Sequence, residues 1–336
     1  MGQEILTSTG HVGVSRRSCN RLYINGTFSN DPQLIGNDFA RLCRIGEKQP
    51  DNKYSRRVAR GIVGKDVYPT QHTEVFLPLA EFTGDGSALT YLAQNSSTRF
   101  SQTPIDTILQ ETSTYKNGHT APLENISKML NEGFTFSNKI SETQIDQLQE
   151  LWGHTFGWSK EEIINLNSRL QANIDKPPTE RDVWLSIVQK DGNIISAAMA
   201  ERLTLQGENG RKIDLVESTE WVTKKGFEKN GYMTATLNYL NAQIIHDLQE
   251  SQNGLPIIFA ECNFATRADI SGNKVGFKIP ERSHATQILI QNVSVNDGFS
   301  KQFGPFRDFL FMYLPVTTIE QNYSPQQVEE ITNLVK

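Results

Sequence analysis

The pattern of apolar and polar positions between residues 213 and 261 predicts a strand, a loop, a helix and a second strand, in that order. Ile213–Thr223 is an apolar, β-branched run that breaks at a turn rich in Lys, Gly and Asn. Apolar residues then recur every three or four positions, as on one helix face: Met233, Leu237, Leu240, Ile244 and Leu248. The helix is predicted from about Tyr232 to about Gln252, and Leu255–Glu261 follows as a strand. This order is typical of two parallel strands joined by a crossover helix.

The predicted helix start is a candidate anion site. The first N–H groups of a helix have no partner within the helix, and the helix N-terminus has a partial positive charge. Here the strand passes through residues 224–231 directly into the helix. The sequence therefore predicts that a phosphate or pyrophosphate binds at this loop.

Two capping boxes predict the start of two further helices on the N-terminal side. In each box a Ser caps the helix, and a Gln or Glu three residues later bonds back to the cap. The pairs are Ser141 with Gln144 and Ser159 with Glu162.

The remaining apolar runs predict strands on both sides of the crossover. They are Phe134–Ile140, a hairpin of Val183–Val188 and Ile194–Leu205 around a turn at 190–193, and the later runs Thr286–Val295 and Asp308–Val316. Together with the helices they predict the α/β class, with a mixed sheet of about seven strands and helices on both faces.

The loop and the segment after it resemble a known family. Glu228–Met233, Glu-Lys-Asn-Gly-Tyr-Met, is similar to the Gln/Arg-x-x-Gly-x-Gly/Ala loop of the GNAT (GCN5-related N-acetyltransferase) superfamily and keeps its middle glycine, Gly231. Lys274–Phe277, Lys-Val-Gly-Phe, is similar to the family's Lys-Leu-Gly-Phe. The resemblance covers about residues 133–316. It implies a GNAT-like, mostly antiparallel seven-stranded sheet and an acyl-CoA-dependent N-acyltransferase that uses acetyl-CoA as co-substrate and no metal.

The resemblance also implies which residues hold acetyl-CoA. The loop binds the pyrophosphate through its backbone, and the end of the preceding strand holds the pantetheine and polarises the thioester. The residues concerned are Trp221, Val222, Thr223, Phe227, Glu228, Lys229, Asn230, Gly231 and Tyr232. Glu228 departs from the family pattern and brings a carboxylate near the phosphate, which is unfavourable unless it turns outward. The neighbouring Lys224, Lys225 and Lys229 either offset this charge or belong to a solvated loop.

The general acid is unassigned. Many members of the family place a Tyr four residues before the Gly-Phe pair, where it protonates the departing thiolate. That position is Gly272 in this chain. Ser271, Cys262, Tyr232 and water remain as alternatives.

Two glutamates on the strand before the loop are the candidate bases. An alkyl ammonium must lose a proton before it attacks a thioester, and a carboxylate can take that proton directly or through water. Glu217 and Glu220 differ by three positions, so alternation predicts opposite faces, with Trp221 on the face of Glu217 and Val222 on the face of Glu220. Either carboxylate could instead be a structural rim residue.

Other residues compete for roles at the acceptor side. Glu201 and Glu261 are the next candidate bases. In the family the segment between the first two helices shapes the acceptor site, so Phe156 and Trp158 are either substrate walls or a hydrophobic plug. His154, in the same predicted loop, is either a proton carrier or structural, and the structural interpretation is preferred.

The length of 336 residues leaves room for more than one domain. We expect an N-terminal, β-rich module of unknown function over 1–130, the acyltransferase domain over 131–320, and a C-terminal helix or tail over 321–336. In the module, Asn25-Gly26 predicts a hairpin turn, and the basic run Arg56–Arg60 predicts a solvated face. The module could cover the acceptor cleft, oligomerise or bind a partner.

The composition restricts the classes of partner that this chain is expected to bind. Three cysteines without metal spacing argue against disulfides and zinc, and the net charge of −5 argues against a nucleic-acid surface. No apolar run has transmembrane length, so we expect no membrane association and a cytoplasmic protein. The expected acceptor is a small-molecule or peptide amine, and a homodimer is compatible with the sequence.

The sequence is compatible with three functions. The first is acetyl transfer to a primary amine by direct attack, without a covalent intermediate on the protein. The second is a GNAT-shaped binding or regulatory protein that has lost catalysis. The third is an acyltransferase that takes its acyl group from an acyl-carrier protein.

Overall fold

The computed structural model describes residues 5–6, 12–16, 21–25, 56–64, 73–95, 110, 121–206, 212–263, 268–280, 282–283, 286–289 and 306–335. They form two sheets of seven strands each. The first sheet contains β1 (Ile5–Leu6), β2 (Val12–Arg16), β3 (Arg21–Asn25), β4 (Arg56–Val63), β5 (Thr73–Pro78), β6 (Ala88–Asn95) and β12 (Arg282–Ser283). The strand order in this sheet is β1-β2-β3-β4-β6-β5-β12.

The second sheet contains the elements predicted around the crossover. Its strands are β7 (Thr135–Ser137), β8 (Val183–Lys190), β9 (Asn193–Gln206), β10 (Lys212–Thr223), β11 (Ile257–Asn263), β13 (Thr286–Leu289) and β14 (Phe306–Tyr313). Their order is β13-β14-β11-β10-β9-β8-β7. Only β10 and β11 pair in parallel among these described strands. The predicted class, α/β with a mixed and mostly antiparallel sheet of seven strands, is confirmed.

Helices cover the second sheet on both faces. They are α1 (Ala80–Thr83), α2 (Pro122–Asn131), α3 (Glu142–Phe156), α4 (Lys160–Ile174), α5 (Tyr232–Leu248), α6 (Ala268–Lys274), α7 (Val316–Asn322) and α8 (Pro325–Val335), with a 3₁₀ turn at Pro178–Glu180. On one face, which we call the α5 face, Val216 and Ile258 pack with residues of α2, α5 and α8. On the other, the α3 face, Leu185 and Met199 pack with residues of α3 and α4.

The first sheet packs on the α3 face of the second sheet, beside helices α3 and α4. Leu215 and Ile257 of the second sheet form one buried cluster with Val75, Leu77 and Leu89 of the first. The apolar faces of the two sheets are therefore buried against each other beside the helices.

Local sequence signals in the second half of the chain agree with the structure. Helix α5 begins at Tyr232 as predicted, and both capping boxes form, with the Ser141 amide donating to Gln144 at 2.6 Å and the Ser159 amide donating to Glu162 at 2.8 Å. The predicted hairpin forms as β8 and β9. Its turn has positive φ at Asp191 and Gly192, as a tight two-residue hairpin turn requires.

Two predictions about the ends of elements are wrong, and one is tested only at its start. His154 lies on α3 and is exposed, because the helix continues through the predicted loop to Phe156. Strand β14 ends at Tyr313, and Val316 begins α7 after Pro315. Strand β13 confirms the start of the predicted run at Thr286, whereas 290–295 lie outside the described residues.

Of two predictions about the N-terminal part of the chain, one is wrong and the other is not tested. Strand β3 pairs with β2 on one side and in parallel with β4 on the other, and the hairpin predicted at Asn25-Gly26 extends into residues outside the described ranges. The basic run Arg56–Arg60 lies in β4, and Arg60 is 5% exposed rather than solvated. The charge of Arg60 is held by buried carboxylates, described below.

Candidate active site

The two parallel strands of the second sheet separate in the middle of the molecule. Strands β10 and β11 pair from Leu215 with Ile257 as far as Glu217 with Phe259. Beyond this point β10 continues to Thr223 beside β9, and β11 continues to Asn263 beside β14. Because the ladder between β10 and β11 ends there, an extended ligand with its own amide groups can enter between them.

A β-bulge lies on β10 just past the point of separation. Thr219 pairs with Met199 and Val222 with Ala197, so Glu220 and Trp221 together oppose one residue of β9. Glu220 has φ +56°, in the left-handed region that non-glycine residues rarely adopt. The extra residue bends the strand and changes which side chains face each side of the sheet.

The bulge makes the predicted faces of Trp221 and Val222 wrong. Trp221 packs on the α5 face, with its ring 5.8 Å from that of Phe277 in an edge-to-face arrangement. Val222 packs on the α3 face with Ala197. Strict alternation fails here because one inserted residue shifts every later side chain of the strand by one position.

The loop after β10 leads tightly into α5. The Phe227 amide donates to the Lys224 carbonyl at 3.0 Å, and Gly231 is the N-cap residue of α5 with φ +84°. A left-handed cap is readily adopted by glycine, and the absence of a side chain leaves the first-turn amides approachable. A helix start of this geometry can accept an anion.

The side chain of Glu228 turns back onto this loop. Its Oε2 atom accepts a hydrogen bond from the Gly226 amide at 2.6 Å. The Glu228 side chain therefore does not adopt the outward orientation that would keep its charge away from a phosphate. Lys225 and Lys229 of the same loop are exposed. In this conformation the carboxylate occupies one of the loop amides that a phosphate would use.

We expect Glu228→Gln to strengthen binding of acetyl-CoA. The substitution removes a negative charge beside the phosphates and weakens the bond that competes for the Gly226 amide. A hydrogen bond to a charged group contributes about 1.5–3 kcal/mol, so the dissociation constant should fall about tenfold. Calorimetric titration measures this change, and Glu132→Gln at the C-cap of α2 is the exposed control. An unchanged or weaker affinity of the Glu228 variant would show that the carboxylate does not compete.

The position of the family's acidic tyrosine is filled by another side chain. A Cβ atom at Gly272 would lie 3.4 Å from the Trp221 ring and 3.3 Å from the Met312 sulfur. The indole N–H of Trp221 donates to Ser218 Oγ at 2.9 Å, which fixes the ring. The indole thus takes the space next to Gly272 that a larger residue would need.

We expect Gly272→Tyr to lower the thermal unfolding midpoint, and Trp221→Ala to relieve part of that loss when the two are combined. Overpacking of a filled core costs about 1–3 kcal/mol. Scanning calorimetry of the two single variants and the double variant measures the coupling. Additive effects of the two substitutions would contradict direct contact between positions 221 and 272.

Cys262 is a poor nucleophile in this position. Burial raises the pKa of the Cys262 thiol well above its usual value, and the negative charges of Asp269 and Glu261 raise it further. The thiol therefore stays protonated at neutral pH, and the reactive form of a cysteine is the thiolate.

Glu217 lies where β10 and β11 separate, and it is held by an arginine of the first sheet. Its Oε2 atom is 3.3 Å from Arg60 Nη1, and the Glu217 side chain is 12% exposed. Arg60 Nη2 is also 3.8 Å from Glu261 Oε1. Glu201 pairs directly opposite Glu217 in the β9–β10 register and forms an ion pair with Arg169 of α4. Three of the four candidate carboxylates are thus neighbours on adjacent strands, and Glu220 lies in the bulge.

Neither the buried position of Arg60 nor the packing role of Trp221 was predicted from the sequence. Arg60 precedes Ile62 by two positions, and Ile62 is buried between the sheets. Reading 56–63 as an alternating strand would have placed Arg60 on the buried face. No local signal marks the bulge, because its left-handed residue is a glutamate rather than a glycine.

The aromatic residues near the end of α3 form part of the core. The rings of Trp152 and Trp158 lie 5.2 Å apart, and Phe156 and Trp158 pack against the cluster beneath α3 and α4.

Within the described ranges, no group of three or more His, Cys, Asp or Glu side chains could hold a metal ion. No helix in the described part of the chain is long and apolar enough to cross a membrane.

The second sheet agrees with the mostly antiparallel, seven-stranded sheet that the GNAT resemblance implies. Solved structures of acetyltransferases are similar to it. Arabidopsis thaliana NAA60 in complex with acetyl-CoA is 12% identical with a TM-score of 0.38, and it covers 55% of this chain and 99% of its own. The ribosomal-protein-S18-alanine N-acetyltransferase of Escherichia coli is 14% identical with a TM-score of 0.35, over 55% of this chain and 94% of its own.

A third similar structure is a Trypanosoma brucei acetyltransferase, 16% identical with a TM-score of 0.33, over 45% of this chain and 96% of its own. These similarities concern the fold alone. No family model matches the chain, and no curated protein sequence matches it significantly.

Proposed function

We propose that this protein is an acyl-CoA-dependent N-acyltransferase that transfers the acetyl group of acetyl-CoA to a primary amine by direct attack. The observation that supports the proposal most directly is the separation of β10 from β11 next to the glycine-capped start of α5. An extended pantetheine fits the first feature, since its amides can bond to strand edges. A pyrophosphate fits the second.

The proposed cofactor site follows from this arrangement. The loop residues Phe227–Tyr232 hold the pyrophosphate mainly through their backbone, and Trp221–Thr223 hold the pantetheine and the thioester. A backbone N–H of this strand segment stabilises the negative charge that develops on the thioester oxygen. No metal takes part in the proposed reaction.

In the proposed mechanism the acceptor ammonium gives one proton to a glutamate, and the neutral amine attacks the thioester carbon. The new C–N bond forms, the attacking nitrogen loses its second proton to solvent, the C–S bond breaks, and CoA leaves as a thiolate that takes a proton from solvent. A thiol with a pKa near 8.5 is a fair leaving group, so the reaction does not require the tyrosine acid that Gly272 replaces.

Glu217 is the first candidate for the base and Glu220 the second. Glu217 directly opposes Glu201, and both lie on strands whose α3 face is covered by α3, α4 and the first sheet. In the family the segment between the first two helices helps to shape the acceptor site, and Glu217 faces the side of the sheet that carries these helices, which supports it as the base. Glu220 lies in the bulge, closer to the proposed thioester position.

A second function has specific support. Glu228 bonded to the Gly226 amide and the indole beside Gly272 are both departures that would weaken cofactor binding or acid catalysis. They favour a GNAT-shaped protein that binds a ligand without turning it over. For either function we infer a cytoplasmic protein. Its partner is a small-molecule or peptide amine, and a homodimer is one alternative for its oligomeric state.

Two measurements on the purified chain separate these functions. Calorimetric titration with acetyl-CoA tests binding, and a thiol reagent tests release of free CoA with a panel of polyamines, amino acids and peptides. An N-acyltransferase should release CoA faster with at least one amine than without. Binding without acceleration by any amine would favour the regulatory function, and the absence of binding would contradict both.

A further inference from the structure

The first sheet reaches the separation point of β10 and β11 through Arg60. This residue lies on β4 and is 5% exposed. Its Nη1 atom donates to Glu217 Oε2 at 3.3 Å, and its Nη2 atom lies 3.8 Å from Glu261 Oε1. One guanidinium therefore contacts carboxylates on both of the strands that separate.

Aromatic rings from both sheets fix the plane of the same guanidinium. Its central carbon lies 4.9 Å from the ring centroid of Tyr91 in the first sheet and 5.5 Å from that of Phe259 in the second. The rings of Tyr91 and Phe259 contact each other edge to face at 6.1 Å. A planar cation held by two rings and two carboxylates has one orientation, and its hydrogen bonds then fix the positions of the carboxylates.

Stability alone does not explain why charges are buried at this place. The surrounding cluster is apolar and includes Leu215, Ile257 and Phe311. Replacing a buried ion pair by well-packed hydrophobic residues is often neutral or stabilising, because desolvation of the charges offsets their attraction. An orientation requirement on Glu217 accounts for the arginine, whereas packing of the two sheets does not require it.

We propose that Arg60 is a positioning residue for acyl transfer and that the first sheet is part of the catalytic unit. The bond from Nη1 to Oε2 holds the Glu217 carboxylate beside the separation of β10 and β11. Oε1 then takes the proton of the acceptor ammonium, and Arg60 keeps its own protons throughout. This inference rests on the proposed function, with Glu217 as the base.

The test compares Arg60→Lys with Arg202→Lys. Lysine keeps the charge but cannot contact two carboxylates in one plane. Arg202 is a matched control: it lies on β9 of the second sheet, its side chain is 11% exposed, and it forms a buried ion pair with Asp214. It pairs with Val216, so its side chain is on the α5 face, opposite to that of Glu217. Misplacing a reacting group by about 1 Å can cost about 10²-fold in rate, so kcat of Arg60→Lys should fall by about that factor. Its acetyl-CoA affinity and the kcat of Arg202→Lys should stay close to wild type.

A rescue experiment separates positioning from a general loss of structure. Arg60→Ala leaves a cavity shaped for a guanidinium, so added guanidinium ion should restore part of the kcat of this variant and have no such effect on Arg202→Ala. If Arg60→Ala does not fold, the kcat of Arg60→Lys alone tests the positioning role. Wild-type kcat in Arg60→Lys, or an equal loss in Arg202→Lys, overturns this inference and leaves the proposed function intact. A wild-type protein that shows no turnover with any amine overturns both.

Discussion

We expect Gly231→Val to abolish acetyl-CoA binding while the protein still unfolds cooperatively. The valine places a branched side chain at the helix start, where a phosphate would approach the amides of the first turn. It also disfavours the left-handed cap at φ +84°, so the loop moves away from its binding conformation. Loss of even one charge-assisted bond costs about 1.5–3 kcal/mol, which corresponds to about 10- to 100-fold in affinity. Calorimetric titration measures this affinity.

Gly254→Val is the matched control for this experiment. Gly254 has φ +82° in the turn after α5, and a Cβ atom there would meet nothing within 4 Å. Both variants should lose stability through the same backbone strain, but only the Gly231 variant should lose acetyl-CoA affinity. Equal affinities in the two variants would remove the loop from the cofactor site.

The second large effect is expected at Glu217. Replacing the general base by Gln should lower kcat by about 10²- to 10⁴-fold at neutral pH. The loss should shrink as the pH rises towards the pKa of the acceptor amine, because neutral amine then forms without help from the protein. Glu150→Gln, on the exposed side of α3, is the control and should retain wild-type kcat at every pH.

The same pH series with Glu220→Gln distinguishes the two candidate bases. Only the variant that has lost the base should recover activity at high pH, whereas a variant that disturbs the bulge should lose a constant fraction. Full activity of both variants across the pH range would move the base to Glu201 or Glu261.

Features with short sequence separation were predictable in this chain. The start of α5 at Tyr232, both capping boxes and the hairpin of β8 and β9 depend on residues a few positions apart, and the structure contains all of them. The α/β class followed from the order of these elements. Each signal arises from local periodicity or local hydrogen bonding, which a single sequence records directly.

Features that depend on distant partners were not predictable. The environment of Arg60 is set by Glu217 and Glu261, which belong to another sheet. The contact between Trp221 and Gly272 joins β10 to α6 and depends on a bulge that no glycine marks. Tertiary contacts therefore decided the features of the candidate site that distinguish this chain from the family pattern.

The pairing of Arg282 with Phe76, which adds β12 to the outer edge of the first sheet, has a consequence for synthesis of the chain. On the ribosome the first six strands emerge long before β12, so the β5 edge is uncovered while β7 to β11 and their helices are made. An uncovered edge can recruit strands from other chains. A fragment that ends near residue 130 lacks β12, so its β5 edge stays uncovered. We expect such a fragment to aggregate unless a peptide spanning β12 is supplied.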